Sequence, residues 1–108
     1  MNKVIITTLA KQSMDNIYAY NYQYSVNKAI RVDRKINLRI NQLEFFPYIG
    51  RYSLEIEDKR FRELIYNEYR IVYSVFENLN TIYIWYVFNG KQNALKIHKK
   101  YFKDINLV

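Results

Sequence analysis

The chain has 108 residues, half of them hydrophobic, and its 17 lysines and arginines outnumber 10 acidic residues to give a net charge of +7. This length suits one domain with a buried core, and the absence of cysteine excludes disulfides, thiolate metal sites and cysteine nucleophiles. The positive charge suggests a nucleic acid or an acidic protein as partner, although a solubilising surface charge is the simpler explanation.

No segment of the sequence is typical of targeting or membrane insertion. The start, MNKVIITTLAKQS, has only a short apolar run, and no stretch approaches the roughly 18 apolar residues of a membrane span. We therefore expect a cytosolic protein. We also expect one domain over residues 1–108, without linker or internal repeat, whose residues 92–108 form a basic tail or helix.

The first elements are predicted to be a strand and a helix. Val4 to Thr7 is a β-branched run that predicts a strand. From about Leu9 to Tyr24 the apolar residues recur at helical spacing: Met14, Ile17 and Tyr18. Tyrosines also alternate after Ala19, which leaves a strand possible there, but we favour the helix.

A second helix is predicted from Val26 to about Phe45, with Ser25 as its N-cap. Its apolar stripe has the spacing of a core-facing helix: Ala29, Val32, Ile36, Ile40 and Leu43. Another face is basic, and it is either a solvated face or a ridge facing an anionic partner: Lys28, Arg31, Lys35 and Arg39. The segment FFPYIGR, with Pro47 and Gly50, ends this helix.

Three antiparallel strands are predicted next, over about 60–66, 69–76 and 81–88. The last, TIYIWYVF, is apolar on both sides and is typical of a central strand. The segment QNALKIHKKYFKDI predicts a short helix with lysines at 96, 99, 100 and 103 and with these residues near one side: Leu95, His98, Tyr101, Phe102 and Ile105. This order predicts an α+β domain, with a helical hairpin packed on an antiparallel sheet of about four strands.

The bend between the first two of these strands decides where three arginines point. A three-residue loop, Ile65-Tyr66-Asn67, would place Arg60, Arg62 and Arg70 on one face, because side chains alternate along a strand. The rival two-residue loop, Asn67-Glu68, would turn Arg70 away from the other two. We favour the three-residue loop, since Glu68 is poorly suited to the positive φ that the rival would require.

The favoured loop predicts one anion-binding face and one core face. The anion-binding face gathers three guanidinium groups, which suit phosphate and carboxylate, and carries these residues: Arg60, Arg62, Leu64, Arg70, Val72 and Ser74. The core face would carry these residues: Phe61, Ile65, Tyr69, Ile71, Tyr73 and Val75. Glu63 would be the one odd member of that core face.

Two segments resemble the RelE/ParE superfamily of bacterial toxins. FRELIYNEYRIVYSVFENLNTIYIWYVFNG is similar to the C-terminal sheet of that family, and FFPYIGR resembles its Phe-Pro-x-x-Gly-Arg junction. The resemblance implies the RelE/ParE-like fold and a toxin of a type II toxin–antitoxin pair, a class associated with plasmid stabilisation. A cognate antitoxin, wrapping an extended and partly helical segment around the toxin, is the implied partner.

The resemblance leaves two targets open. ParE-like members poison DNA gyrase and are not nucleases, whereas RelE-like members cleave mRNA in the ribosome. The wording RELIYNEYRIVYSVF is closer to ParE members, so we favour gyrase. Arg70 would then be mainly structural and would pair with Glu63 or another nearby carboxylate. A member without toxicity that only binds RNA is a further alternative.

RelE-type chemistry would require a metal-independent endoribonuclease site. Arg70 matches a family arginine that contacts the scissile phosphate, Arg62 lies near a basic position, and His98 or Tyr101 could replace the C-terminal histidine or tyrosine. The family's histidine and arginine at the corner after the last strand are missing, since Asn89 and Gln92 stand there.

The resemblance and the charge together define the predicted contacts. The catalytic set, under the RelE-like hypothesis alone, is Arg70, Arg62 and His98. The predicted anion or partner contacts are these: Arg60, Arg62, Arg70, Lys91, Lys99 and Lys100. We expect no cofactor and no metal, because one histidine and no cysteine leave only carboxylates as metal ligands.

Overall fold

The computed structural model describes residues 1–53 and 55–102 and shows a five-stranded sheet between two layers of helix. The strands are β1 (Lys3–Ile6), β2 (Arg51–Tyr52), β3 (Arg62–Tyr66), β4 (Tyr69–Phe76) and β5 (Thr81–Asn89). The helices are α1 (Thr8–Tyr22), α2 (Val26–Gln42) and α3 (Ala94–Phe102), and a short 3₁₀ turn spans Glu77–Leu79. The predicted positions Lys103 and Ile105 lie outside the described residues. In the part of the chain that the structure describes, no helix is long and apolar enough to cross a membrane.

The helical hairpin forms as the sequence predicts. Thr7 caps α1 by accepting a hydrogen bond from the Ala10 amide, and Ser25 caps α2 through the Lys28 amide at 3.1 Å. Helix α1 continues to Tyr22, which confirms the helix over the strand alternative after Ala19. The basic face of α2 is largely exposed at Arg31 and Lys35.

The larger core lies between the hairpin and the sheet. All five residues of the predicted α2 stripe are buried: Ala29, Val32, Ile36, Ile40 and Leu43. They pack with α1 and against the inner sheet residues Leu64, Ile71, Tyr73, Ile82 and Ile84. Each fully buried large aliphatic side chain contributes about 1.5–3 kcal/mol relative to an exposed one.

The sheet order is β1-β5-β4-β3-β2, and it differs from an all-antiparallel arrangement at one edge. Strand β1 pairs in parallel with β5, and the remaining pairs are antiparallel. The two-residue strand β2 adds a fifth member that the sequence did not predict. Because β5 has a partner on both sides and helices on both faces, its uniformly apolar sequence is explained.

The predicted three-residue loop of the β3–β4 hairpin is wrong. Tyr66 pairs with Tyr69 and Leu64 with Ile71, so the loop is Asn67-Glu68. Asn67 has φ of 52°, whereas Glu68 is not among the positive-φ residues of the described chain. The turn therefore needs only one left-handed residue, and asparagine tolerates that conformation. Glu68 fits the second loop position because positive φ is needed only at Asn67.

This register corrects the two predicted faces. Leu64 is buried in the larger core, whereas Ile65 is 39% exposed. Phe61 and Val72 belong to a second, smaller core on the opposite face, which α3 covers through Ala94. The α+β fold with a short C-terminal helix is confirmed, but Leu64 and Ile65 of β3 lie on the opposite sides of the sheet from those predicted.

Candidate functional site

The three arginines do not converge, so the predicted shared pocket is wrong. Arg62 pairs with Tyr73 and Arg70 with Ile65. Because residues 62 and 65 are three apart, Arg62 and Arg70 point to opposite faces of the sheet. Arg60 precedes β3 and its Nη2 lies 2.7 Å from Asp58 Oδ2. The hydrogen bonds from Arg60 lower the pKa of the Asp58 carboxyl.

Arg70 instead forms a cluster with carboxylates on the α3 face of the sheet. Its Nη1 lies 3.6 Å from Glu63 Oε1 and 3.4 Å from Glu55 Oε1. Arg51 Nε approaches the same Glu63 oxygen at 3.2 Å. The predicted pairing of Arg70 with Glu63 is therefore confirmed, and a second carboxylate joins it, whereas the mainly structural role of Arg70 stays a prediction.

Burial makes the Glu63 carboxylate the centre of this cluster. Its side chain is 0% exposed, whereas that of Arg51 is 58% exposed and that of Arg70 is 18% exposed. A buried charge is tolerated only when it is paired. The other oxygen, Oε2, is buried and has no hydrogen-bond partner among the described residues. The two arginines on Oε1 therefore compensate the whole charge.

Gly90 lets Arg70 lie flat against the corner that follows β5. A Cβ atom on Gly90 would come within 2.8 Å of Arg70 Nε and 3.2 Å of the Glu68 carbonyl oxygen. The Gly90 amide donates to that same carbonyl. The glycine at this corner therefore leaves room for the side chain of Arg70.

His98 is a packing residue of the smaller core. It is 6% exposed, its Nδ1 lies 2.7 Å from the Tyr86 hydroxyl, and its ring meets Phe61 edge-on. Tyr86 turns toward α3 because the β4–β5 register shifts next to it, between Val72 and Tyr73. Burial lowers the pKa of His98, the nearby Arg60 lowers it further, and Asp58 opposes the shift.

The burial of His98 predicts a pH-dependent stability. A histidine normally has a pKa near 6.5, so the unfolded chain takes up a proton at higher pH than the folded chain. Stability should therefore fall as the pH drops through about 6.5, by at most about 1.4 kcal/mol per pH unit. Urea unfolding between about pH 7.5 and 5.5 measures this slope, since the lowered carboxyl pKa values act at lower pH.

The matched variant for this slope is His98→Gln, which removes the chain's single histidine. It should flatten the stability profile across that pH window. An equal slope in the variant would assign the pH dependence to other groups.

Arg62 lines a separate cleft of ≈ 750 Å³ at the end of β3 and β4. Its guanidinium carbon lies 4.3 Å from the centre of the Tyr52 ring and 5.0 Å from that of Tyr48. Its Nη1 donates to the Gly50 carbonyl at 2.8 Å, and its Nη2 to the Tyr52 hydroxyl at 3.1 Å. Arg60 also lines this cleft, so these two arginines share a site from which Arg70 is absent.

The predicted lysines do not join either arginine site. Lys91 and Lys100 are exposed and line a cleft of ≈ 470 Å³ between α1 and α3. Lys99 is exposed on α3 but does not line that cleft. Their predicted role as anion or partner contacts stays a prediction. Across residues 1–53 and 55–102, no three histidine, aspartate or glutamate side chains gather as a metal site.

Comparison with known protein families identifies the chain. The sequence model of the ParE toxin of type II toxin–antitoxin systems, parDE, matches residues 4–94. The chain belongs to the ParE toxin family. Among curated protein sequences none matches this ParE-family chain.

Solved structures show that this ParE-family toxin shares the fold of both ParE and RelE toxins. A chain of the chromosomal ParDE system of P. aeruginosa is 21% identical with a TM-score of 0.68, covering 82% of this chain and 96% of that one. A chain of the RelBE2 complex of Mycobacterium tuberculosis is 17% identical with a TM-score of 0.56 and the same coverage. A free mutant E. coli RelE toxin is 13% identical with a TM-score of 0.63, covering 97% of this chain and 98% of that one.

Sequence reasoning did not find the partners that surround these arginines in the ParE-family toxin. Glu55 and Arg51 come from the segment before β3, which includes the two-residue strand β2 and has no sequence periodicity that indicates direction. Tyr48 and Tyr52 come from the same segment and flank Arg62. The usable signal was Glu63, because a lone carboxylate assigned to a core face requires a cation.

Proposed function

We propose that this ParE-family toxin inhibits growth by poisoning DNA gyrase and is neutralised by a cognate antitoxin. The observation that carries the proposal is the pairing of Arg70 with the buried Glu63 at 3.6 Å and with Glu55 at 3.4 Å. An arginine that compensates a buried carboxylate is poorly placed to bind a scissile phosphate. The proposal implies action in the cytoplasm, where gyrase works.

The arrangement of the other RelE-type candidates supports the same choice. Attack of a ribose 2′-hydroxyl on phosphate needs a base, an acid and cations at one point. Arg62 points to the opposite face from Arg70, and His98 is buried against Tyr86. These residues would have to rearrange before they could act on one phosphate. For this reason we rank a ribosome-dependent mRNA endoribonuclease second, as the alternative to gyrase poisoning.

The surface of α2 and the segment after it supports an antitoxin as partner. The P. aeruginosa relative is a chain of a ParDE toxin–antitoxin system. Large apolar side chains are exposed along this surface of our chain: Ile30, Leu38, Phe45, Phe46 and Ile49. Arg31 and Lys35 are exposed beside them on α2. An acidic segment with apolar anchors would match this combination.

Assays with the purified protein distinguish DNA gyrase from ribosomal mRNA as the target. We expect the chain to inhibit supercoiling by gyrase and to leave mRNA intact on translating ribosomes. The same preparation mixed with the cognate antitoxin, which we expect the neighbouring open reading frame to encode, should lose the inhibition. Cut mRNA together with normal supercoiling would replace the proposal with the nuclease alternative.

Expression in cells tests the toxin–antitoxin pairing separately from the target. The chain alone should arrest growth, and co-expression of the cognate antitoxin should restore it. Growth that is unaffected by the chain alone would contradict toxicity and favour a non-toxic member.

A further inference from the structure

We propose that the cleft around Arg62 binds single-stranded nucleic acid, independently of the toxin's target. Surfaces that bind single strands usually combine positive charges with aromatic rings on which the bases stack. The cleft combines both, and its Arg62 points to the opposite face of the sheet from Arg70 and Glu63. Its walls are formed by residues 48–52, 59–62 and 74–79, including Tyr48, Tyr52, Lys59 and Arg62.

The cleft offers aromatic surface for bases. Tyr48 is 47% exposed and Tyr52 is 45% exposed, although each ring already has Arg62 near one side. Arg62 therefore holds both rings in place before any ligand binds. Phe76 adds a third ring to the cleft wall and is itself fixed edge-on against Tyr83, with ring centres 5.3 Å apart. Rings that are already ordered lose little entropy when a base stacks on them.

The cleft also offers charge for the phosphates. Arg62 has five N–H donors, and its contacts with the Tyr48 and Gly50 carbonyls and the Tyr52 hydroxyl use three of them. Two donors therefore stay available to a phosphate oxygen. Lys59 is exposed on the same wall. Arg60 adds positive charge, although Asp58 balances much of it.

Glu77 offers a hydrogen-bond acceptor for a base on the cleft wall. Its Oε1 accepts a hydrogen bond from the Tyr48 hydroxyl on the cleft wall, and this hydrogen bond raises the pKa of Tyr48. A carboxylate at this position repels phosphates as well as the carboxylates of an acidic peptide, so a bound strand would place a base, and not its backbone, beside Glu77. The amino groups of bases can donate to it, as cytosine does to glutamate elsewhere. The volume of ≈ 750 Å³ is within the usual range for small-ligand sites.

Fluorescence anisotropy with a labelled single-stranded DNA dodecamer tests the proposal. Tyr52→Ala should weaken binding by roughly 5- to 150-fold, which is the range for loss of one stacked base. The matched control is Tyr24→Ala, which removes a tyrosine that is 73% exposed and lines neither cleft. That control should leave the affinity unchanged. Circular dichroism confirms that each variant is folded.

A second pair of variants separates the cleft from the general positive charge. Lys59→Gln should weaken binding and reduce the slope of log affinity against log salt by about 0.7. Lys11→Gln removes the same charge from an exposed position on α1, outside the cleft, and should leave the slope unchanged. Equal losses in the two lysine variants would overturn the proposal, as would the absence of measurable binding by the native chain. Displacement of the DNA by an equally charged glutamate–tyrosine peptide at the same concentration would overturn it in favour of a peptide site.

Discussion

Arg70→Met should lower the free energy of unfolding by about 3 kcal/mol, because it leaves the Glu63 carboxylate buried with one exposed partner. The methionine keeps most of the aliphatic length of Arg70, so the loss reports charge more than packing. Glu63 is 0% exposed and cannot recover solvation without a local rearrangement. Chemical denaturation of both proteins, extrapolated to water, measures the difference.

Arg51→Met is the matched control for this prediction. Arg51 contacts the same oxygen of Glu63, at the shorter distance of 3.2 Å, but is 58% exposed. Its loss should cost less than about 1 kcal/mol, as for other exposed ion pairs. Adding Glu63→Gln to Arg70→Met should recover part of the lost stability. If both substitutions lower the free energy of unfolding by the same amount, Arg70 is not the main partner of Glu63.

Gly50→Ala should lower the free energy of unfolding by about 3 kcal/mol, through overpacking and a weakened hydrogen bond. A Cβ atom there would lie 2.5 Å from the Tyr73 hydroxyl oxygen and 2.8 Å from the Glu63 carbonyl oxygen. Tyr73 cannot move easily, because it is 0% exposed and its hydroxyl both donates to the Pro47 carbonyl and accepts from the Gly50 amide. Thermal and urea unfolding both report this change.

Ile49→Ala is the neighbouring control for the glycine. Ile49 is 47% exposed, so its truncation should change stability by less than about 1 kcal/mol. Tyr73→Phe removes the atom closest to the added methyl group, so the double variant should lose less stability than the sum of the single variants. A Gly50→Ala protein as stable as the native one would show that this junction can relax.

The sequence predicts the helical hairpin well because its signals are local. The α2 stripe repeats at helical spacing, and Ser25 provides a cap within one turn. The side on which each β3 residue lies depends instead on a single backbone angle, the φ of 52° at Asn67. An error of one residue in that loop reverses a whole strand face. Leu64 and Ile65 were accordingly assigned to the wrong sides.

The positions of Glu63 and Arg70 in the sequence favour the two-residue loop. Only the two-residue loop puts Glu63 and Arg70 on the same face, where they form their ion pair. The three-residue loop would have left Glu63 alone in the core, at a cost of several kcal/mol. Other features could not be predicted, because the β4–β5 register shift that turns Tyr86 toward His98 has no signal in an apolar strand.

We infer that Arg70 serves the fold and is not a catalytic group. The most direct measurement is gyrase supercoiling in the presence of Glu63→Gln/Arg70→Met, a variant from which the whole ion pair has been removed. Once circular dichroism has shown that this variant is folded, it should inhibit supercoiling within about threefold of the native chain. At about 1.4 kcal/mol per tenfold change, this limit is a difference of less than about 1 kcal/mol. A folded double variant that has lost all inhibition would contradict this structural role of Arg70.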